Sequence, residues 1–180
     1  MLKKALIVVA VLVVALLVVI AIQPSEYRVE RSANMKAAPD AVYAQVADFH
    51  HWNAWSPWAA LDPAAKNTFE GPASGKGAIF AWDGNDQVGA GRMTVTDATP
   101  PSHLAIRLEF FRPMEGDATT EFRFAPGKDG STDVTWSMSG TNGFLGKAFS
   151  LVMDFDAMIG KDYDTGLANL RSVVEPKPAK

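Results

Sequence analysis

Residues 5–22 form an unbroken run of 18 apolar side chains, fourteen of them Leu, Ile or Val and four Ala, with no charge among them. No other feature constrains the chain as strongly. As a helix the run rises roughly 27 Å, close to the thickness of the hydrocarbon layer of a bilayer. Large aliphatic residues at about −0.3 to −0.6 kcal/mol each together favour insertion by several kcal/mol. A cleaved signal peptide is the alternative, but its apolar stretch usually covers about 7 to 15 residues and ends in a small-x-small site. Only Val19-Ile20-Ala21 approximates such a site here. The run therefore reads as an uncleaved single-pass anchor. Lys3 and Lys4 are the only charges before it, so the positive-inside bias keeps the N-terminus cytoplasmic and sends the remainder across the inner membrane, into the periplasm of a bacterium. The expected organisation is an anchor over residues 1–24, one domain over 25–175 and a tail over 176–180.

From residue 23 onward, 15 Lys and Arg stand against 20 Asp and Glu, a net charge of −5. An acidic domain without a basic block argues against nucleic acid as a partner. The chain has no cysteine, which excludes a disulfide framework, Cys-ligated zinc and a thiol nucleophile. His50, His51 and His103 fall at no metal-ligand spacing and read as surface residues. No serine lies in a G-x-S-x-G context, and no glycine-rich segment matches a phosphate-binding loop. The acid pairs Asp154/Asp156 and Asp162/Asp164 are two apart, so on a helix their members diverge and cannot act as a dyad. These residues imply no metal, no cofactor and no catalytic constellation, and they name no protein partner.

After Pro24 the pattern alternates, predicting a strand over residues 27–35 whose inner face carries Tyr27, Val29, Ala33 and Met35 and is interrupted by Arg31. Pro39 suits the first turn of a helix continued by Val42, Val46 and Phe49, and a second helical turn covers residues 50–55. Short alternating stretches follow at 68–70, 78–82, 89–97, 104–111, 119–124 and 133–140, divided by brief turn clusters, as an antiparallel meander requires. From 144 to 174 the apolar spacing changes to threes and fours, predicting one long C-terminal helix with Gly160 and Gly166 as its weak points. The packing solution is an α+β fold in which the antiparallel sheet curls around that helix in a helix-grip arrangement.

The residues that carry a resemblance are Asp48-Phe49-His50-His51-Trp52-Asn53-Ala54-Trp55-Ser56-Pro57-Trp58, Gly71-Pro72, Gly75-Lys76-Gly77-Ala78, Trp82-Asp83-Gly84-Asn85 and Gly160-Lys161-Asp162-Tyr163. They resemble the SRPBCC superfamily (START-like, polyketide cyclase/dehydrase-type) in its membrane-anchored bacterial branch. The resemblance implies a helix-grip (START/Bet v 1-like) domain around a hydrophobic pocket. It leaves the activity open, because that superfamily includes lipid carriers, receptors and cyclases.

Phe80, Trp82, Met93, Ile106, Leu108, Phe110, Phe122, Phe124, Trp136 and Met138 project to one side of their strands, where they line either a pocket or a solid core. The adaptable methionines, Met153 among them, and the resemblance favour the pocket. Asp156 sits on the apolar stripe of the long helix, where a carboxylate needs a partner. It reads as an ion pair with Arg31, Arg92 or Arg107, or as a polar anchor inside the cavity. Trp52, Trp55 and Trp58 make a ridge that either plugs the core or lips a pocket mouth. Finally, the apolar residues between 144 and 159 cover more of the helix circumference than the sheet can bury, so something else must cover them. The expected function is a membrane-anchored module binding a hydrophobic or lipid-like small molecule, with a cyclase/lyase-type enzyme or a structural envelope protein as alternatives.

Overall fold

The computed structural model describes residues 2–176; residues 177–180 of the expected tail lie outside them. Helix α1 (Leu2–Ile22) is exposed along its length except at Ile20 and is apolar enough to cross a membrane. After three intervening residues the chain enters β1 (Glu26–Met35). Pro39 then opens α2 (Pro39–Ala47), and Asp48 breaks it by accepting from the amide of His50 at 2.9 Å, capping a 3-10 turn over Phe49–Ala54.

The meander comprises β2 (Lys66–Glu70), β3 (Ile79–Asp83), β4 (Ala90–Thr99), β5 (His103–Arg112), β6 (Gly116–Pro126) and β7 (Thr132–Thr141). With β1 they form one antiparallel sheet in the order β1-β7-β6-β5-β4-β3-β2. Every neighbouring pair but β1–β7 is a sequence-consecutive hairpin. α2 and the 3-10 turn carry the chain from one edge of the sheet to the other, across its concave face.

The long helix expected over 144–174 is instead two helices, α3 (Phe144–Ser150) and α4 (Phe155–Val174). Asp154 causes the break, because its extended backbone lets the carboxylate accept from Ala157 N–H at 2.9 Å and so cap a new helix. Gly160 and Gly166 also prove to be notches rather than weak points. A Cβ at Gly160 would overlap the Arg31 guanidinium, and one at Gly166 would lie 2.7 Å from the Trp136 ring. Each absent side chain lets α4 settle against the sheet.

The substitution Gly166→Ala should therefore lower the urea midpoint. The helix propensity gained, up to about 1 kcal/mol, is smaller than the roughly 1–3 kcal/mol that overpacking costs. An unchanged or raised midpoint at constant m-value would contradict the notch.

Candidate functional site: an apolar cavity at one end of the sheet

The concave face divides into two halves. Toward the β6–β7 turn it is filled. Tyr43 of α2 meets Phe124 edge-on at 5.5 Å, and Trp52 and Trp55 meet Phe122 at 6.1 and 6.2 Å. Val42, Val46, Leu104, Ile106 and Val134 are fully buried in the same cluster. Trp52 Nε1 donates to the Val46 carbonyl at 2.8 Å and Trp55 Nε1 to the Gln45 carbonyl at 3.2 Å, so both indoles enter this core without stranding a polar group.

The other half, toward the β3–β4 and β5–β6 turns, is hollow. A cavity of about 780 Å³ lies there between the sheet, the segment after the 3-10 turn and the first half of α4. Phe80, Trp82, Met93, Leu108, Phe110, Trp136 and Met138 of the expected set stand on its wall. The register explains the grouping, since Phe80 faces Met93, Met93 faces Leu108, and Trp82, Gly91 and Phe110 form the next row. Gly91 is required in that row, because the Trp82 ring lies across it where a Cβ would be. The indole is held there by Nε1 donating to the Val88 carbonyl at 3.0 Å.

The remaining expected residues lie elsewhere. Ile106, Phe122 and Phe124 share the concave face but belong to the filled half, Met153 is solvent-exposed before α4, and Asp156 is outside the cavity. Asp156 pairs instead with Arg31, whose Nη1 and Nη2 reach its carboxylate oxygens at 3.0 and 2.9 Å, with Asp164 3.5 Å from the guanidinium. This pairing accounts for the charge that interrupts the inner face of β1. Trp58 also lines the cavity and meets Trp136 edge-on at 5.9 Å, so the Trp ridge both seals the core and walls the pocket.

Sequence reasoning missed the polar floor. Tyr163, only 2% exposed, stacks on Trp136 with ring centroids 3.8 Å apart. Trp136 Nε1 donates to Thr120 Oγ1 at 2.9 Å, and that hydroxyl donates to the Ser137 carbonyl at 2.9 Å. The Tyr163 hydroxyl stands 3.4 Å from Thr120 Oγ1, a long contact in which it must be the donor. Burial pushes its ionisation well up, so at neutral pH the group is a phenol, not a phenolate. An acceptor on a bound molecule can compete for that proton. Thr120 was legible as an inward position between Ala118 and Phe122, and Tyr163 as part of the α4 stripe; their meeting across 43 residues was not. Among the described residues no group of three or more His, Cys, Asp or Glu could hold a metal.

These features define a helix-grip domain with a ligand-sized cavity under its sheet. The chain belongs to the family described as polyketide cyclase/dehydrase and lipid transport, whose model matches residues 26–175. Among solved structures it is similar to protein CV1439 from Chromobacterium violaceum, at 17% identity and a TM-score of 0.59 over 86% of this chain and all of that one. It is likewise similar to the Aha1 dimer from Colwellia psychrerythraea, at 18% identity and a TM-score of 0.59 over 83% of this chain and 96% of that one. The di-domain ARO/CYC BexL from the BE-7585A biosynthetic pathway matches at 13% identity and a TM-score of 0.60, over 89% of this chain and 53% of that one. At such identities these likenesses show the fold alone. No curated protein sequence gives a significant match.

The Arg31 hydrogen bonds hold the Asp156 carboxyl below its ordinary value of 3.8. A carboxylate with a lowered folded pKa contributes stability above the unfolded value and loses it as pH falls through the folded one. Asp156→Asn should thus be less stable than the parent at neutral pH, with the gap closing in acid below pH 3.8. Urea midpoints compared across that range would show it, and a pH-independent gap would contradict the ion pair.

Proposed function

We propose that the protein is a membrane-anchored binding module, with residues 1–24 as the anchor and 25–175 holding a hydrophobic or lipid-like small molecule on the extracytoplasmic side. The cavity carries this reading. Its volume of about 780 Å³ suits a drug-sized or single-chain lipid-like ligand; its inner wall is aromatic and aliphatic, while the exposed Asn53, Asn67, Asp86, Gln87 and Arg112 give it a polar rim. The family's association with lipid transport supports the ligand class. The apolar α1 and the preceding Lys3 and Lys4 support the anchor and its orientation. Phe80, Trp82, Met93, Leu108, Phe110, Trp136 and Met138 are the proposed ligand contacts, with the Tyr163 hydroxyl as the polar end.

Organic extracts of the full-length protein purified in mild detergent test this directly. Mass spectrometry is expected to find a hydrophobic compound with the parent chain and to find it severalfold depleted with Leu108→Trp, which adds bulk on the cavity wall. Phe111→Trp, on the convex face near Arg92, should retain it. Empty parent protein, or equal retention in both variants, would remove the proposal.

A second reading, a cyclase-type activity in the same cavity, is favoured by the protonated Tyr163 hydroxyl and by the ARO/CYC neighbours. A phenol so placed can donate to a carbonyl whose charge grows in the transition state. Tyr163→Phe keeps the ring stack, so it should weaken binding of a carbonyl-bearing ligand by about 0.5–1.5 kcal/mol if the hydroxyl only anchors. A loss of turnover at unchanged affinity would instead favour catalysis.

A further inference from the structure

Strand order puts the start of β1, the end of β7 and the β3–β4 and β5–β6 turns at one end of the sheet, because Glu26 pairs with Thr141 and Ala90 with both Asp83 and Arg112. That is also the end where α1 delivers the chain. α3 packs against the C-terminal part of α1, and Lys147 Nζ donates to the Ala21 carbonyl at 3.3 Å. A span beginning near Ala5 uses up its roughly 27 Å at about this residue, so Lys147 stands at the level where hydrocarbon gives way to headgroups.

The apolar surface of the domain is gathered at the same level. Outside α1, seven of the twelve exposed large hydrophobic side chains among the described residues fall between 144 and 158. Leu145 is 68% exposed and Val152 81%, and Met114 at the β5–β6 turn is 59% exposed. In water so large an unpartnered patch is unfavourable. The cavity opens at the same end of the sheet, where the exposed Asp86 and Gln87 of the β3–β4 turn and Arg112 and Pro113 at the β5–β6 turn line it, with the partly exposed Ile159 of α4.

We propose that α3, the 151–154 connection and the β5–β6 turn are seated in the bilayer surface that α1 enters, so that the cavity mouth opens onto the membrane and its ligand passes directly between cavity and leaflet. The occupant of the apolar patch is lipid. α1 holds the patch at the interface at high effective concentration, and an apolar face there immerses about 5–10 Å into the boundary between headgroups and acyl chains. Lys147 keeps its ammonium at headgroup level while its stem lies along apolar surface. The charges carried by these segments have both signs, Arg112 and Lys147 against Asp83, Glu115 and Asp154, so seating does not depend on anionic lipid. The proposal rests on the reading of α1 as an uncleaved anchor.

The cysteine-free chain permits a direct test. Full-length single-cysteine variants Val13→Cys, Met114→Cys, Val152→Cys and Lys128→Cys, each carrying an environment-sensitive fluorophore, are placed in phosphatidylcholine nanodiscs with and without brominated acyl chains. Lys128 lies in the β6–β7 turn at the opposite end of the sheet. Expected are blue-shifted emission and severalfold quenching by brominated lipid at 13, 114 and 152, with neither at 128. Quenching at 13 alone would overturn the seating and leave the anchor intact. Its absence at 13 would overturn both. Shielding of 114 and 152 from aqueous iodide without quenching by lipid would mean that protein, such as a second copy, covers the patch, and would overturn the seating as well.

Discussion

The indole of Trp136 joins the two layers of this domain. On the sheet it lies beside Phe122 of the neighbouring strand, with centroids 4.9 Å apart, and above it Tyr163 of α4 stacks at 3.8 Å. Trp52, Trp55 and Trp58 meet it edge-on from the segment that crosses the concave face. Offset stacks and edge contacts of this kind add to the area each aromatic buries, and here they all converge on one ring. Gly166 is the complement of that convergence, because only a residue without a Cβ lets α4 approach the ring so closely. The Nε1–Thr120–Ser137 hydrogen bonds satisfy the one polar atom of the indole inside the core.

The same joint sets where the interior is full and where it is empty. On one side of Trp136, α2 and the 3-10 turn supply Tyr43, Val46, Trp52 and Trp55 to fill the space under the sheet. On the other side the segment after the 3-10 turn and α4, which is held at Trp136 and at Arg31, stand off from the sheet. The hollow between them and the sheet is the cavity. Its floor is the polar edge of the joint, where Tyr163 and Thr120 stand, and its walls are the outer rows of the meander. One cluster therefore supports the fold and also supplies the polar group that a ligand meets.

The break at Asp154 connects the cavity to the surroundings of α1. By restarting the helix it frees α3 to turn away from the sheet and pack on α1. An unbroken helix would instead carry the apolar residues of 144–153 along the α4 axis. The capping carboxylate thus governs the position of the exposed apolar face relative to the cavity mouth.

Several of these features belong to the sequence by itself. The apolar run, the seven alternating stretches and their turn clusters follow from local periodicity, and the period of two already places Phe80, Trp82, Met93, Leu108, Phe110, Trp136 and Met138 on one face. The pairing of Asp156 with an arginine follows from the cost of a lone carboxylate on an apolar stripe, with Arg31 among three candidates. The Asp154 cap also has a local signal, but the continuous spacing of apolar residues across it hides the break. The tertiary structure alone decided that Gly160 and Gly166 are notches, that Ile106, Phe122 and Phe124 sit in solid core while their row-mates face a cavity, and that Tyr163 meets Thr120. The physical reason is that periodicity assigns a side chain to a face, whereas emptiness depends on the distance between two layers. That distance is set by non-local contacts, here the Trp136 stack and the Arg31–Asp156 pair, which no local pattern encodes.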